Sequence, residues 1–409
     1  MSKSNNDLLS AEDLNLKQIQ RIHKRYSEAV GMRTIAAEIG CTEWAVRKIL
    51  GGTDQEQATK DVTRINRAET RKERRAETAI KLLNEEVLES LKALKGKMNV
   101  GPRRSGRLNK KAPVAVVHLS DNHLNELIST PSNSFDFEVA AKRLQKLAMR
   151  VKAYAKPLGV ERIVVAYGGD ILNSDRRIDE VTNMATNRSR AMVLAVHLYR
   201  QFITDLREDF FIDVFGITGN EGRAKQELSW SDPGVTDSYD ASIYWMLQTV
   251  MSESGDKGLR FHQLQGNEAV FSIHKETFLL LHGHQVNMAD QRKVQSLIGK
   301  HSALNGTRIT HVLAGHIHSA MVSDFASRNS SLSGGNAYSE EALGFCSKAS
   351  QNLHIVWEDS LDGLKVDLQD VEGIPGYNIV KELATHDARG SKKAAQAAVN
   401  QPRRLVVIV

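Results

Sequence analysis

Residues 310–320, THVLAGHIHSA, are the stretch on which the fold prediction for this chain rests. Four apolar or small residues at 312–315 lead directly into His316 and His318, which a single isoleucine separates. A short apolar run of this kind is typical of a buried β-strand. Histidine is the commonest metal ligand in proteins and suits zinc, manganese and iron, so the pair indicates a metal site. Taken alone, it is equally compatible with two unrelated histidines.

From residue 113 onward, short apolar runs alternate with amphipathic stretches. The runs are VAVVHLS (114–120), RIVVAYGG (162–169), FIDVFGITG (211–219), AVFSI (269–273), TFLLLHG (277–283), THVLAGH (310–316) and LHIVWED (353–359). Helix-like stretches fall near 137–156, 187–208 and 237–253. Buried strands that alternate with helices predict an α/β domain. LHIVWED and GLKVDLQ (363–369) are expected to close its second sheet.

Metal-binding side chains follow five of these runs at the point where each strand should end. They are Asp121, Asn122 and His123; Asp170; Asn220 and Glu221; His282 and His284; and His316 and His318. Because α/β sheets place their sites at the carboxyl ends of strands, we expect these side chains at one edge of the domain. A set of carboxylates, an amide and imidazoles suits manganese, iron or zinc better than calcium.

The motifs SDNH (120–123), GGD (168–170), GN (219–220), LLLHGH (279–284) and GHIH (315–318) occur in the order that is typical of calcineurin-like metallophosphoesterases, and the chain resembles that superfamily over about residues 113–375. VVHLSDNHLNE (116–126) looks most like the opening motif of the branch that contains double-strand-break repair nucleases, and the arrangement is similar to metallophosphoesterases of bacteriophages and prophages.

The resemblance implies a four-layer α/β/β/α sandwich that holds two divalent metal ions, manganese above all, with iron or zinc as alternatives. It implies that Asp121, His123 and His318 hold one ion, that Asn220, His282 and His316 hold the other, and that Asp170 bridges the two. Two such ions can lower the pKa of a shared water, so that a bridging hydroxide attacks the phosphoester.

One motif departs from the family pattern. Many members read GNHD or GNHE, where the histidine helps to protonate the leaving group, whereas this chain reads GNEGR (219–223). Glu221 and His284 are the candidates for that catalytic role, although a structural role is equally compatible with each. Arg176 and Arg223 are candidates for contact with a substrate phosphate.

The N-terminal residues 12–52 read as a small module of three helices. In MRTIAAEIGCTEWAVRKIL (32–50), a small residue is followed by a glycine turn, a threonine cap and apolar positions, which resembles a helix-turn-helix. A DNA-binding module of this kind would present Trp44, Arg47 and Lys48 from its last helix. A protein-binding module with the same internal packing is the alternative.

The remaining segments are biased in charge. Residues 60–95 predict a long charged helix whose narrow apolar stripe either forms a homodimer or rests on the catalytic domain. Residues 96–112 read as a flexible basic linker and 385–409 as a basic, flexible tail. Residues 1–111 carry a net charge of +9 and the rest of the chain −3. The excess positive charge that would bind a polyanion such as DNA therefore lies in the N-terminal part of the chain.

Composition excludes several classes of protein. The N-terminal residues lack the apolar core of a signal peptide, and the sequence contains no run of about 18 apolar residues that would span a bilayer. Its two cysteines, Cys41 and Cys346, are far apart, which argues against a disulfide scaffold. We therefore expect a cytoplasmic protein without a membrane partner, in the bacterial host cytoplasm if a phage encodes it.

Three functions remain open at this stage. The first is a dinuclear metal-dependent phosphodiesterase, specifically a DNA nuclease. The second is a phosphatase or small-molecule phosphodiesterase whose N-terminal module binds protein. The third is a DNA-binding protein with little catalysis, which the intact set of predicted ligands disfavours.

Overall fold

The computed structural model describes residues 8–51, 106, 108–224, 236–264, 266–336, 339–340 and 347–386. The chain divides into an N-terminal unit and a C-terminal unit with a boundary after Glu86. The predicted helix at 60–95, most of the predicted linker at 96–112 and all but the first two residues of the predicted tail at 385–409 lie outside the described residues. Within the described part, no helix is long and apolar enough to cross a membrane.

The N-terminal unit contains helices α1 (Leu16–Ser27), α2 (Met32–Ile39) and α3 (Glu43–Ile49). Gly40 ends α2 with a φ of 74°, a left-handed conformation that favours glycine. The side chain of Thr42 then accepts a hydrogen bond from the backbone of Ala45 at 3.1 Å and begins α3. Ile22, Ile35 and Val46 are fully buried where the three helices meet.

The C-terminal unit is a mixed α/β domain. Its strands are β1 (Val114–Leu119), β2 (Ile128–Ser129), β3 (Ser134–Phe135), β4 (Arg162–Tyr167), β5 (Phe211–Gly216), β6 (Leu259–Phe261), β7 (Glu268–Ile273), β8 (Glu276–Leu281), β9 (His311–Ala314), β10 (Met321–Val322), β11 (Ala326–Arg328), β12 (Ser350–Val356) and β13 (Leu361–Asp367). Its helices are α4 (Phe137–Ala155), α5 (Ile178–Thr182), α6 (Arg188–Arg207), α7 (Tyr239–Ser252), α8 (Gln291–Asn305) and α9 (Val380–Thr385).

The longer strands form two sheets. One has the order β13-β12-β1-β4-β5-β6 and the other the order β10-β11-β9-β8-β7. Within the first sheet β1, β4, β5 and β6 run parallel, and within the second β8, β9 and β11 run parallel. Parallel strands end at the same edge, so the loops after β1, β4 and β5 emerge side by side, as do those after β8 and β9.

The two sheets pack face to face and carry helices on their outer faces. A buried cluster joins β1, β4 and β12 of the first sheet to β7, β8 and β9 of the second. Helix α8 packs on the outer face of the second sheet, while α4, α6 and α7 pack together beside the first. The predicted four-layer α/β/β/α sandwich is confirmed, as are the three helix-like stretches within two residues of their observed bounds.

One strand prediction was wrong. The runs LHIVWED and GLKVDLQ do not close the second sheet. They form β12 and β13 of the first sheet, where β12 pairs antiparallel with β1 and Val356 lies opposite Val114. An apolar run shows that a strand is buried, but it does not show which neighbour provides its hydrogen bonds.

Three histidines are buried in or beside the layer between the sheets. His118 lies on β1, and its position inside an apolar run predicts a structural role. His118 and His354 on β12 are inaccessible to solvent, and their ring nitrogens have no hydrogen-bond partner in the described structure. His311 on β9 donates to or accepts from Ser327 Oγ at 2.8 Å. Burial lowers the pKa of His118 to about 3 and that of His311 to about 4, and it lowers the pKa of His354 strongly.

We predict that this layer makes the protein sensitive to acid. The imidazoles stay neutral in the folded state but take up protons in the unfolded chain below about pH 6.5. The free energy of unfolding is therefore unaffected by these histidines above that pH and decreases as the pH falls toward 4. Each histidine contributes about 1.4 kcal/mol per pH unit in this range. Urea unfolding at pH values between 7 and 5 measures how the free energy of unfolding depends on pH. His354→Leu should reduce the slope of this dependence by the contribution of one histidine. An unchanged slope in that variant would show that His354 does not remain neutral.

Candidate metal centre

The predicted ligands stand in an unusual backbone conformation. Seven described non-glycine residues have a positive φ, and five of them are predicted metal ligands: Asp121, His123, Asp170, His316 and His318, with φ between 45° and 71°. Each such residue costs about 1–3 kcal/mol and persists only where surrounding contacts impose it. The strain is therefore concentrated at the ends of β1, β4 and β9, where the chain turns these side chains toward one point.

Backbone hydrogen bonds continue beyond the strands and hold these turns. The N–H of Asp121 donates to Gly169 O at 3.0 Å, and the N–H of Asn122 donates to Asp170 O at 2.9 Å. In the second sheet, Gly315 N–H donates to His282 O at 2.7 Å. The loops that carry the predicted ligands are thus paired like strands, which limits their freedom before any ion binds.

Asp121, His123 and His318 form the first of two groups that could hold a metal ion, with ligand atoms within 4.8 Å of one another. His318 Nε2 lies 3.3 Å from Asp121 Oδ1 and 3.1 Å from His123 Nε2. Asp121 is fully buried, whereas the side chain of His318 is 29% exposed, so the group opens to solvent on the histidine side.

Asp170, His282 and His316 form the second group. His282 Nδ1 donates to Gly168 O at 2.8 Å, which leaves its Nε2 to face Asp170 Oδ2 at 2.8 Å. The same Nε2 lies 3.9 Å from Asp121 Oδ1 in the first group. The two groups are therefore adjacent and share one edge of the domain.

Asn220 lies beside the second group, although its amide is not a carboxylate or imidazole ligand. Its Nδ2 donates to Glu221 Oε1 at 3.0 Å, while its Oδ1 is buried without a hydrogen-bond partner in the described structure. The next residue, Glu221, donates its backbone N–H to Asp170 Oδ1 at 2.7 Å. An amide whose nitrogen is held in this way presents its oxygen as a ligand.

The residues fit a pair of divalent ions. Asn220 Oδ1 is a buried polar atom without a hydrogen-bond partner in the described part, and its lone pair is available to a cation. The buried His282 Nε2 faces the Asp170 carboxylate at 2.8 Å. Burial lowers the pKa of His282, but Asp170 and Asp121 outweigh that effect and raise it to about 10. Burial raises the pKa of Asp170, but His282 and His123 outweigh it and lower the value to about 2. The carboxylates are thus ionised, and the charge that attracts a proton to His282 also attracts a metal ion.

Glycines allow the carboxylates to reach these positions. A Cβ on Gly219 would lie 2.1 Å from Asp170 Oδ1, and a Cβ on Gly315 would lie 2.0 Å from Asp121 Oδ2. No side chain fits at either position without displacing a predicted ligand. The glycines of the GN and GHIH motifs are therefore part of the site.

The carboxylate of Glu221 is engaged by several donors. Besides Asn220 Nδ2, it accepts from the backbone N–H of Ser174 at 3.1 Å and lies 3.3 Å from Arg176 Nη2. Arg176 Nη2 also donates to Asn220 O at 3.2 Å. This environment orients Asn220 and does not aim Glu221 at a leaving group, so its catalytic role stays a prediction.

His284, the second candidate for the acid, pairs with Arg223. Arg223 Nη2 donates to His284 Nε2 at 3.0 Å, and the His284 ring lies 5.7 Å from that of His282. Burial, His282 and Arg223 lower the pKa of His284 to about 4. A neutral His284 at pH 7 accepts from Arg223 through Nε2 and is not a ready proton source. The roles of Arg176 and Arg223 in phosphate contact also stay predictions.

Asp240, in the first turn of α7, also faces this site, although no local sequence pattern indicates it. Its carboxylate, which is 1% exposed, accepts hydrogen bonds from the backbone N–H groups of Asp170, Ile171 and Gly219. Burial and the neighbouring Asp170 raise its pKa to about 6. An acidic residue in the first helical turn is common, and only the fold shows that this one faces the site.

By its composition, the polar stretch ASRNSSLSGGNAY (326–338) predicts either a substrate-facing loop or an ordinary polar connection. Over residues 326–335 the structure shows a buried segment instead. Asn329, Ser330 and Ser331 are at most 1% exposed. Asn329 Nδ2 donates to Gln351 Oε1 at 2.9 Å, and Gln351 Oε1 accepts from Ser120 N–H at 2.9 Å. Leu332 N–H donates to Asp121 O at 2.9 Å. The stretch therefore helps to hold the turn at Asp121 through hydrogen bonds.

In the N-terminal unit, the three predicted DNA-binding residues lie on α3. Trp44 is 54% exposed, and Lys48 Nζ lies 5.0 Å from the centre of its ring. Lys48 also forms a 3.4 Å ion pair with Glu12, and Arg47 a 3.6 Å pair with Glu43. An exposed tryptophan beside two cations is compatible with contact to a nucleic acid, and this role stays a prediction.

No protein-family model matches the sequence, and no curated protein matches it significantly. Solved structures are similar to it. A conserved uncharacterized protein and predicted phosphoesterase from Streptococcus pneumoniae TIGR4 is 11% identical, covers 63% of this chain and 91% of its own, and has a TM-score of 0.29. Zn²⁺-complexed Vps29 from Entamoeba histolytica is 12% identical, covers 62% of this chain and 99% of its own, with a TM-score of 0.28.

Purple acid phosphatase PPD1 from yellow lupin (Lupinus luteus) seeds is 8% identical, covers 68% of this chain and 54% of its own, and has a TM-score of 0.32. Similarities with such low identities and TM-scores do not assign an activity to the chain.

Proposed function

We propose that the protein is a dinuclear metal-dependent phosphodiesterase. The observation that supports this most strongly is the adjacency of two preorganised ligand groups, connected through His282, whose Nε2 lies 2.8 Å from Asp170 Oδ2 and 3.9 Å from Asp121 Oδ1. When bound, two divalent ions would lower the pKa of a water molecule and neutralise the oxygens of a phosphoryl group.

The chain's own residues would hold the two ions and attract the phosphate of the substrate. Asp121, His123 and His318 would hold one ion, and His282, His316 and Asn220 the other, with Asp170 between them. Most of these ligands are neutral, so the loaded site keeps a positive charge that favours a phosphate. We propose that Arg176, which pairs with Glu221, and Arg223, which donates to His284, would neutralise further charge on a substrate.

We propose DNA as the substrate and manganese as the preferred metal, in a cytoplasmic protein. The support is the exposed Trp44, Arg47 and Lys48 set on α3, the basic excess of residues 1–111 and the resemblance to nuclease-type metallophosphoesterases. The second candidate, a phosphatase, uses the same ligands, because a phosphomonoester also fits two metal ions.

The substrate class is tested with purified full-length protein and Mn²⁺. The substrates are double- and single-stranded DNA, a bis-aryl phosphate and a mono-aryl phosphate. Hydrolysis of DNA and the diester supports the proposal. Turnover of the monoester alone would replace it with the phosphatase, and absence of all hydrolysis under manganese, iron and zinc would contradict both.

For DNA recognition, we predict that Lys48→Ala weakens binding and reduces the slope of log affinity against log salt by about 1, because one phosphate contact is lost. Arg47→Ala should act in the same direction. The matched control is Lys300→Ala, an exposed lysine on α8 of the other unit, which should change neither quantity. Fluorescence anisotropy at several salt concentrations measures both. Equal effects of Lys48→Ala and Lys300→Ala would exclude α3 as the contact surface.

A further inference from the structure

Three backbone donors from two different loops converge on the carboxylate of Asp240. Oδ2 accepts from Asp170 N–H at 3.1 Å and from Gly219 N–H at 2.9 Å, and Oδ1 accepts from Ile171 N–H at 2.9 Å. The first loop carries the predicted bridging carboxylate, and the second carries Asn220, one residue after Gly219. Asp240 is thus a direct connection between two loops that must cooperate to bind one ion.

The surroundings of Asp240 suit a fixed anion. Its side chain is buried, and no Lys, Arg or His of the described chain forms an ion pair with it. Its charge is instead stabilised by the three N–H donors and by its place in the first turn of α7, whose N-cap is Ser238. A carboxylate held in this way has few alternative positions, so it can fix the groups that donate to it.

The two loops approach so closely that no side chain can separate them. A Cβ on Gly169 would lie 2.4 Å from Gly219 N, and a Cβ on Gly222 would lie 2.5 Å from Asp240 Oδ2. Without the carboxylate, the N–H groups of Asp170 and Gly219 would be buried without acceptors at this contact. Buried donors without acceptors are unfavourable, so the loops would separate to regain water or new partners.

We propose that Asp240 is a positioning residue for the metal ion held by Asp170, Asn220, His282 and His316. It fixes the backbone of Asp170 so that Oδ1 accepts from Glu221 N–H, at 2.7 Å, while Oδ2 remains directed at His282. It also fixes the backbone of Gly219, which positions the next residue, Asn220, so that its Oδ1 is available to a metal ion. The inference rests on the proposed function, since it assigns a role within the same dinuclear site.

The role differs from a general contribution to stability in one measurable way. The first group, Asp121, His123 and His318, has no hydrogen bond to Asp240 in the described structure. Its turn donates to Gly169 O and Asp170 O, but it is also held by the stretch around Asn329 and Gln351. Loss of Asp240 should therefore weaken the second metal site much more than the first. A merely structural role would weaken both sites equally or neither.

The test is a Co²⁺ titration of full-length, metal-free protein, followed by visible absorption and calorimetry. Wild type should bind two Co²⁺. Asp240→Asn, which cannot accept all three hydrogen bonds, should keep the first site and weaken the second by about 10- to 100-fold, with a changed absorption spectrum for the second ion. The matched control is Asp213→Asn, a buried carboxylate on β5 that pairs with Arg260 and His262 and should leave both sites unchanged.

Gly222→Ala provides a second variant that retains the carboxylate but displaces it, since the added Cβ would meet Asp240 Oδ2. It should also weaken the second site selectively. Two Co²⁺ bound with wild-type affinities and spectra in the folded variants would overturn the inference, as would an equal loss at both sites. Binding of fewer than two Co²⁺ by wild type is a different result, which would contradict the proposed dinuclear function itself.

Discussion

Replacing Asp170 by Asn is expected to lower the hydrolysis of a bis-aryl phosphate by about 100- to 1,000-fold. The substitution keeps the size of the side chain but removes the charge that lies 2.8 Å from His282 Nε2 and between the two ligand groups. An amide has one acceptor oxygen, so it cannot accept from Glu221 N–H and also serve as a ligand on both sides. The second ion should then bind weakly.

DNA affinity should remain within about twofold in the same variant, because the proposed contact surface lies on α3 of the other unit. Steady-state hydrolysis with Mn²⁺ and anisotropy at fixed salt measure the two quantities. The control is Asp290→Asn, which replaces the residue that begins α8 with one that caps equally well. Activity of Asp170→Asn at the level of this control would mean that Asp170 does not serve the reaction.

Gly219→Ala has the second largest expected effect. The added Cβ would lie 2.1 Å from Asp170 Oδ1 and 2.6 Å from Asp170 N, so the Asp170 carboxylate must move. Gly219 does not have a positive φ, and the backbone itself therefore accepts alanine. We expect a loss of about 1–3 kcal/mol of folding stability from overpacking and a fall in activity comparable to that of Asp170→Asn.

Gly299→Ala is the control for this prediction. Gly299 lies within α8 with open space around a Cβ, so alanine should raise stability by about 0.5–1 kcal/mol and leave activity unchanged. Thermal unfolding and diester hydrolysis measured on both variants separate the two cases. Wild-type activity in Gly219→Ala would show that the close approach to Asp170 has no role in function.

The sequence predicted the parts of the site that depend on local pattern. Short apolar runs identify β1, β4, β5, β8 and β9, and a ligand placed at the end of each run is brought to one edge by parallel pairing. The two ligand groups found in the structure consist of six of the seven predicted metal ligands, and Asn220 lies beside them. These inferences needed only strand polarity and side-chain chemistry.

The parts that the sequence did not predict depend on contacts between distant residues. Asp240 follows Gly219 by 21 positions and Asp170 by 70, and no local pattern marks an acid that accepts backbone hydrogen bonds from both loops. Gln351 likewise contacts Ser120 across 231 positions. Ser and Asn around 326–335 suggest an exposed connection by composition, yet they are buried because the fold supplies partners such as Gln351.

The departure GNEGR illustrates both situations. The sequence shows a glutamate where many calcineurin-like metallophosphoesterases have histidine, but only the structure shows that Glu221 accepts from Asn220 Nδ2 and Ser174 N–H. These contacts orient Asn220, and the catalytic role of Glu221 stays a prediction. The source of the proton for the leaving group is a separate question that the variants Glu221→Gln and His284→Asn address.

We propose that two metal ions bind side by side at the ends of β1, β4, β5, β8 and β9. An anomalous difference map from crystals of the Mn²⁺-loaded protein tests this directly. We expect two peaks about 3.5–4 Å apart, one beside Asp121, His123 and His318 and the other beside Asn220, His282 and His316, with Asp170 between them. A single peak, or ions bound away from these side chains, would contradict it.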